Sequence, residues 1–244
     1  MQTSGNTVLI TGGGSGIGFA LAQAFAEADN TVIICGRDEA KLTRAARDVP
    51  GCHAIRCDIT SDQDVQHLRS ELETRFPSLN MLINNAGLQY NYRLTEEPNA
   101  LEMIDEEIST NFTAQVKLTV NLLPLLRRQE RSALVNITSA LSVVPKESAP
   151  VYCATKAAMR VFTKAIRYQL EGTSVKVFEV VPPLVDTAMT QGRDVRKVPP
   201  ARVAQAVLRG LEANKKEIRI AMVKALFAIN YVMPGVASSI MRPS

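Results

Sequence analysis

A glycine-rich segment that directly follows an apolar run constrains the fold of this chain most strongly. Residues 8–10 (Val-Leu-Ile) lead into Thr11-Gly-Gly-Gly-Ser-Gly-Ile-Gly18, and a helical segment follows. Such a strand-to-helix turn offers free amide groups and the positive end of a helix dipole to an anion. We expect Gly12 to allow the tight turn, Gly16 to let the backbone approach phosphates and Gly18 to let the helix pack on the strand. The segment therefore predicts a dinucleotide site, with a turn that merely closes a loop as the alternative.

Short apolar runs alternate with helical segments along the rest of the chain. The strand-like runs are residues 7–10, 31–35, 53–57, 81–83, 133–137, 175–180 and 217–222. The helical segments are residues 16–28, 39–47, 62–76, 100–128, 151–171 and 201–213. This alternation predicts an α/β fold, a doubly wound parallel sheet of seven strands with helices on both faces, because strands buried on both sides lack polar alternation. We expect residues 1–244 to form one domain, in which Pro124 kinks a helix rather than marking a boundary.

Two segments do not fit this alternation. Residues 182–200 form a long connection rich in Pro, Arg and Asp, and we interpret about 183–200 as a substrate lid. The tail, residues 225–244, is largely apolar and is interrupted by Pro234-Gly235. Three interpretations of the tail stay open: it covers the substrate cleft, packs against a second subunit, or lies on a membrane surface.

Composition excludes several classes of protein. Hydrophobic residues make up 46% and charged residues 21% of the 244 positions, which is typical of a globular enzyme. Aromatic residues make up only 5% and do not alternate with basic ones, so we expect no nucleic-acid binding. The net charge is +4, and residues 193–224 contain nine basic and three acidic residues. That segment is interpreted as a solvated helix face, or else as a lip for an anionic substrate or membrane.

Cysteine spacing and the N-terminal sequence bear on the compartment. The four cysteines lack metal-site spacing, so we predict no metal site and buried reduced thiols. No Lys or Arg precedes Arg37, unlike a secretory signal, and no apolar run approaches the ~20 residues that span a bilayer. We therefore expect a cytoplasmic protein.

Tyr152 and Lys156 are the first candidates for acid–base chemistry. An i, i+4 spacing places both side chains on one helix face. A free tyrosine has a pKa of about 10, and a neighbouring ammonium is expected to lower it enough for Tyr152 to act as a general acid or base. Ser139 follows a strand-like run at the edge where α/β sheets bind ligands, although a serine there also serves as a cap.

Asparagines mark two further positions. Asn84-Asn85-Ala86-Gly87 follows the fourth strand-like run at the same edge, where asparagine also serves in simple turns. Asn111 lies inside a predicted helix although asparagine is a mediocre helix former, which suggests a role for its side chain.

The joint order of these motifs resembles the short-chain dehydrogenase/reductase family. Thr-Gly-x-x-x-Gly-Ile-Gly, Asn-Asn-Ala-Gly, Asn111, Ser139, Tyr152 and Lys156 follow one another at that family's spacing, and the resemblance covers about residues 8–187. It implies a Rossmann fold, a nicotinamide cofactor and a subunit that forms a homo-dimer or tetramer. It also implies that Tyr152 exchanges the proton, Lys156 binds the nicotinamide ribose and tunes Tyr152, Ser139 steadies the substrate oxygen and Asn111 holds a relay water.

The same resemblance implies a set of cofactor-binding residues. Asp58 and Ile59 resemble the pair that contacts adenine, and Asn84 and Gly87 would flank the cofactor. The full set is Gly12, Ser15, Gly16, Ile17, Gly18, Arg37, Asp58, Ile59, Asn85, Ala86, Gly87, Tyr152, Lys156, Val185 and Thr187.

Two positions depart from the family pattern. Pro182-Pro183 stands where relatives carry Pro-Gly, and proline fixes φ near −65° where glycine would be free. Ser142 replaces a frequent glycine. Neither change removes an acid–base group, so we expect activity to be retained.

The end of the second strand-like run predicts the cofactor. It reads Ile34-Cys-Gly-Arg37 and carries no carboxylate for a ribose 2′-hydroxyl, whereas Arg37 offers a planar cation suited to a 2′-phosphate. We therefore expect NADP(H) to be preferred over NAD(H), although the adjacent Asp38 weakens the contrast.

The function predicted is an oxidoreductase that moves hydride between nicotinamide and a small-molecule carbonyl or alcohol. Tails like residues 225–244 occur in relatives that act on bulky or lipid-like substrates, so we expect a hydrophobic substrate. A non-catalytic cofactor sensor or scaffold on the same fold is the main alternative. A third is epimerisation or dehydration through a keto intermediate, which the short region after Val185 disfavours.

Overall fold

The computed structural model describes residues 1–193 and 196–243 and contains one parallel sheet of seven strands. Asp194 and Val195 of the expected lid, and Ser244 of the tail, lie outside the described residues. The strand order is β3-β2-β1-β4-β5-β6-β7, as expected for a doubly wound fold. The strands are β1 (Thr7–Thr11), β2 (Thr31–Gly36), β3 (Cys52–Arg56), β4 (Leu79–Asn84), β5 (Ser132–Ile137), β6 (Val175–Val181) and β7 (Glu217–Arg219).

Helices cover the sheet, and their ends follow ordinary capping chemistry. They are α1 (Gly16–Glu27), α2 (Glu39–Asp48), α3 (Asp62–Arg75), α4 (Ala100–Ile108), α5 (Ala114–Arg128), α6 (Pro150–Gln169), α7 (Pro200–Glu212), α8 (Val223–Val232) and α9 (Pro234–Met241). The Asp38 carboxylate accepts from the Lys41 amide at 3.0 Å, and the Ser61 hydroxyl accepts from the Asp64 amide at 3.2 Å. These side chains satisfy amides that have no partner within the helix.

The core consists of two apolar layers, one on each face of the sheet. Along β1, Val8 and Ile10 pack with residues of α1 and α7, whereas Leu9 packs with residues of α3 and α5. Because both faces of the central strands are buried, apolar residues occupy successive positions. This confirms the expectation from the apolar runs.

The predicted helix over residues 100–128 is interrupted. Helix α4 ends at Ile108, a π-helical turn spans Ser109–Thr113, and α5 continues from Ala114. Such wide turns are rare and concentrate at functional sites. Pro124 lies within α5, which continues to Arg128, so it does not form a boundary.

The tail forms helices α8 and α9 after a strand shorter than expected. Strand β7 ends at Arg219 because Ala221 adopts a left-handed conformation (φ 52°) that turns the chain into α8. Phe227 of α8 is buried, and the Arg160 and Arg219 guanidinium groups lie 5.1 and 4.8 Å from its ring centroid. Among the described residues, none of the helices has both the length and the apolar character needed to cross a bilayer.

Candidate active site

A cavity of about 610 Å³ lies where the carboxyl ends of the central strands meet. Open parallel sheets bind ligands at this edge, beside the point where the strand order reverses. Here the reversal falls between β1 and β4. The cavity walls come from the segments after these strands and after β2, β3, β5 and β6, together with the end of the tail.

The glycine turn forms one end of this cavity. Gly12 (φ 64°) and Gly16 (φ 55°) have backbone conformations that favour glycine, and both line the cavity with Ser15 and Ile17. Gly18 does not line it. A Cβ at Gly18 would clash with the Gly12 carbonyl oxygen and lie 2.6 Å from Asn85 Nδ2. Gly18 therefore allows close packing beneath the turn, one of the roles expected from the sequence.

The turn has the chemistry required for a pyrophosphate. The first-turn amides of α1 have no partner within the helix, and that turn contains no acidic side chain. A Cβ at Gly12 would lie 3.0 Å from Ala86 Cα, so any larger residue would narrow the space between the two loops. The residues present thus fit a dinucleotide.

Thr11 couples the turn to the Asn-Asn-Ala-Gly loop. Its hydroxyl oxygen accepts from the amides of Asn85 and Ala86 at 2.9 and 3.0 Å, and Asn85 Nδ2 donates to the Thr11 carbonyl at 2.9 Å. Asn85, Ala86 and Gly87 line the cavity. Asn84 is buried beneath them and donates to Thr119 and Asn136, so its role is structural support.

Arg37, Asp58 and Ile59 line the far side of the same cavity, after β2 and β3. The Arg37 side chain is 65% exposed and forms an ion pair at 3.2 Å with Glu106 of α4. Tyr90 donates a hydrogen bond to the other oxygen of the same carboxylate. Asp58 accepts from the Thr60 amide and hydroxyl. Arg37 is thus exposed at the predicted position, but its guanidinium group already forms an ion pair with the Glu106 carboxylate.

Tyr152 and Lys156 of α6 meet Ser139 at the centre of the cavity, and all three side chains line it. The Lys156 Nζ atom lies 5.7 Å from the Tyr152 ring centroid and donates to the Ile137 carbonyl at 3.0 Å. Ser139 Oγ accepts from the Leu141 amide at 3.1 Å, and Ser142 Oγ donates to the Ser139 carbonyl at 2.6 Å. The Ser142 substitution therefore braces the turn that carries Ser139.

The prediction that Lys156 lowers the pKa of Tyr152 is wrong. Burial raises the pKa of Tyr152 to about 12, and a hydrogen bond with Ser139 offsets part of that rise. Burial also lowers the pKa of Lys156 to about 8. Desolvation disfavours the charged form of both groups and is the largest cause of both shifts. Tyr152 is therefore a protonated acid near neutral pH.

Asn111 supports this centre from behind. It lies in the π-helical turn, fully buried, where Oδ1 accepts from the Leu88 amide at 2.9 Å and Nδ2 donates to the Leu88 carbonyl at 2.8 Å. A Cβ at Gly87 would lie 3.1 Å from Asn111 Oδ1 and 3.6 Å from Lys156 Nζ. Asn111 does not line the cavity, but it positions the loop that does.

The segment after β6 covers the cavity. Val185 and Thr187 line it, as does Pro183 at the departure from the family pattern. Val185 and Val198 form a parallel bridge, and the Asp186 amide donates to the Val198 carbonyl at 2.9 Å. The two ends of the expected lid are therefore joined to each other.

Several residues of this cavity are not among the site residues predicted from the sequence. Lys146, Gln89 and Arg193 line it near Tyr152, and Met241 and Pro243 bring the tail to its edge. This arrangement supports the cleft-covering interpretation of the tail. A lysine between Ser139 and Tyr152 was the available signal, but distance along the chain does not reveal that its side chain turns inward.

In the part of the chain that the structure describes, no group of three His, Cys, Asp or Glu side chains is placed so that it could hold a metal ion. The four cysteines are all free thiols, three of them buried and Cys52 half-buried.

Comparison with known proteins identifies the family. The family model described as short chain dehydrogenase matches residues 6–197. The chain is 40% identical over 232 residues to the uncharacterized oxidoreductase DltE of Bacillus subtilis strain 168, covering 93% of this chain and 92% of that protein.

Two solved structures share the whole fold. A short chain dehydrogenase from Burkholderia cenocepacia J2315 in complex with NADP is 25% identical, with a TM-score of 0.87 and 99% of each chain covered. A short chain dehydrogenase/reductase from Burkholderia phymatum in complex with NAD is 21% identical, with a TM-score of 0.86, covering 100% of this chain and 98% of the other. The strand order, the glycine turn and the Tyr-Lys pair agree with the match to the family model. The chain therefore belongs to the short-chain dehydrogenase/reductase family of oxidoreductases.

Proposed function

We propose that this chain is an oxidoreductase that prefers NADP(H) and acts on a small-molecule carbonyl or alcohol, with Tyr152, Lys156, Ser139 and Asn111 as its working set. One observation carries the proposal: Tyr152, Lys156 and Ser139 line the same cavity as the glycine turn. A nucleotide whose phosphates lie at that turn would extend toward Tyr152. When bound, nicotinamide supplies or accepts the hydride.

The residues of this chain supply the proton and the orientation. Tyr152, protonated near neutral pH because burial raises its pKa, donates to the oxygen of a carbonyl that is being reduced. Ser139, whose hydroxyl interacts with Tyr152, holds the same oxygen. Lys156 is positioned to bind the ribose and to place a positive charge beside Tyr152. Asn111 keeps the Leu88 backbone, and with it the wall beside Gly87, in place.

The preference for NADP(H) rests on Arg37. A guanidinium at the end of β2 matches a 2′-phosphate, and residues 34–37 contain no carboxylate, while the adjacent Asp38 carboxylate accepts from the Lys41 amide at the start of α2. Glu106 competes for Arg37, but both side chains are partly exposed, so this pair is worth at most about 1 kcal/mol. A 2′-phosphate carries more charge and would displace the carboxylate.

Exposed apolar side chains support an oligomer. Val120 of α5 and Val161 and Tyr168 of α6 are each at least 64% exposed. We propose that these helices form the face of a homo-dimer or tetramer, that residues 1–244 act as one domain, and that the enzyme works in the cytoplasm.

Titration with NADPH and NADH, followed by fluorescence, tests the proposal. Wild type should bind NADPH at least tenfold more tightly than NADH, and Arg37→Ala should remove that difference. Arg44→Ala, an exposed arginine on the adjacent α2, is the matched control. Equal affinity for both nucleotides would refute the NADP(H) preference. Failure to bind either one would leave the glycine turn a structural element and favour a scaffold.

A further inference from the structure

Two basic side chains line the substrate end of the cavity. Lys146 is only 4% exposed although it carries an ammonium group, and it donates to Asn91 Oδ1 at 2.7 Å. Arg193 donates through Nη2 to Gln89 Oε1 at 3.1 Å and to the Met189 carbonyl at 3.5 Å. In the described part of the chain, neither forms an ion pair with a carboxylate.

Removing these cations from water is costly, since Lys146 is buried and Arg193 is half-buried. Desolvation and, to a smaller extent, the neighbouring Arg193 charge lower the pKa of Lys146 to about 8, because the two cations repel each other. Desolvation also lowers the pKa of Arg193. A buried charge normally has an opposite charge beside it, because the unpaired form is strongly disfavoured. Among the residues that the structure describes, the hydrogen-bond partners of these two cations are amide oxygens.

The cations lie on the substrate side rather than the adenosine side. Lys146 follows β5 and Arg37 follows β2, three strand spacings apart in the sheet, or about 14 Å. Arg193 lines the same cavity as Tyr152 and lies close enough to interact with it electrostatically. Of the nine basic residues in the segment 193–224, Arg193 is the one that lines the cavity in the described structure.

Glu107 is a buried carboxylate that interacts electrostatically with Tyr152, but its oxygens already accept other hydrogen bonds. Its two oxygens accept from the Tyr90 amide at 3.0 Å and the Tyr92 hydroxyl at 3.4 Å. It does not line the cavity. Apolar side chains that line the same cavity include Leu141, Met189 and Met241.

We infer that the substrate carries a carboxylate on an apolar body, and that Lys146 and Arg193 bind this carboxylate while Tyr152 meets the carbonyl or hydroxyl group. The inference rests on the proposed oxidoreductase function and narrows its substrate to oxo acids or hydroxy acids. A carboxylate within reach of both cations would accept charge-assisted hydrogen bonds and supply the missing counter-charge. The apolar walls account for the hydrophobic part that the tail led us to expect.

Calorimetry on the enzyme–NADP⁺ complex tests the inference with matched probes. The probes are oxo acids with one to five carbons between the carbonyl and the carboxylate, each paired with its methyl ester. At least one acid should bind wild type tenfold or more tightly than its ester. Lys146→Met and Arg193→Met should each reduce this ratio at least fivefold, whereas Lys146→Arg should largely restore it. Lys164→Met, on the exposed face of α6, is the matched control and should leave the ratio unchanged.

The outcomes separate this inference from the proposed function. If acids bind no better than esters throughout the series, or if the ratio survives both methionine variants, the carboxylate site is refuted. NADPH-dependent reduction of esters would then still support the oxidoreductase. If acids are preferred but no probe of either kind is reduced, the oxidoreductase is refuted and the anion site stands. An unchanged NADPH dissociation constant in each variant shows that it has folded.

Discussion

The Lys156 ammonium lies 5.7 Å from the ring centroid of Tyr152, and its hydrogen bond goes to the Ile137 carbonyl. Both side chains are buried. The Lys156 ammonium therefore lies within cation–π distance of the Tyr152 ring, and α6 holds its charge in a place that water hardly reaches. This arrangement costs stability, because burial lowers the pKa of Lys156 to about 8.

Replacing Lys156 with methionine should stabilise the protein while abolishing activity. At pH 7 the folded wild type carries a buried ammonium that the variant lacks. We expect the melting temperature to rise on the order of 5 °C, the lost bond to Ile137 offsetting part of the gain. Between pH 8 and about 10.5 the unfolded chain binds more protons than the folded one, so wild-type stability rises with pH and the difference shrinks. Calorimetric melts at pH 7 and pH 9.5 measure this; a variant less stable at pH 7 would contradict it.

Removing the hydroxyl group of Tyr152 should slow the chemical step and leave NADPH binding almost unchanged. Tyr152→Phe should lower kcat by roughly 10²–10⁴-fold, the usual contribution of a positioned acid. The NADPH dissociation constant should change less than twofold. Tyr168→Phe, on the exposed face of the same helix, should behave as wild type. Comparable turnover by wild type and Tyr152→Phe would assign the proton to another group.

Neutralising Glu106 should strengthen NADPH binding. Glu106→Gln removes the carboxylate that pairs with Arg37 at 3.2 Å. Exposed pairs contribute up to about 1 kcal/mol, so the NADPH dissociation constant should fall about two- to fivefold, with little change for NADH. Glu102→Gln, at an exposed position of the same α4, should change neither. If the dissociation constants of NADPH and NADH fell by the same factor, Arg37 would not recognise the 2′-phosphate.

Adding one methyl group at Gly18 should disrupt the nucleotide turn. The Cβ would clash with the Gly12 carbonyl and crowd Asn85. Overpacking costs about 1–3 kcal/mol, so Gly18→Ala should lower the melting temperature by about 3–10 °C and weaken NADPH binding. Gly235→Ala, where no atom lies within 4 Å of the added Cβ, is the control. Unchanged nucleotide binding in Gly18→Ala would show that the turn tolerates displacement.

Truncating Phe227 should release the tail from the cavity. Its ring packs with Val181 and Ala140 and lies beneath the guanidinium groups of Arg160 and Arg219. Phe227→Ala should cost about 3 kcal/mol and raise KM for the substrate more than it lowers kcat. Tyr231→Ala, at a 90% exposed site on the same α8, should leave KM unchanged. Steady-state kinetics would contradict this if KM stayed constant in Phe227→Ala.

Local sequence determined the sheet and the order of the motifs. The apolar runs predicted seven strands because strands buried on both faces need apolar side chains at successive positions, as Val8, Leu9 and Ile10 show. The glycine turn could be predicted from the sequence because glycine is the residue that readily adopts the positive φ found at Gly12 and Gly16. Tyr152 and Lys156 were paired by helix geometry alone.

Tertiary structure alone decided the electrostatics and the substrate end of the cavity. Burial raises the pKa of Tyr152 instead of lowering it, and desolvation depends on what surrounds a group rather than on its neighbours in sequence. Lys146 and Arg193 are 47 positions apart and meet only because the loops after β5 and β6 leave adjacent strands. The tail reaches the cavity through Met241 and Pro243, and Phe227 packs earlier in the tail against Ala140 and Val181. Periodicity reports which face of an element is buried, whereas contacts between distant loops depend on packing, which no local pattern encodes.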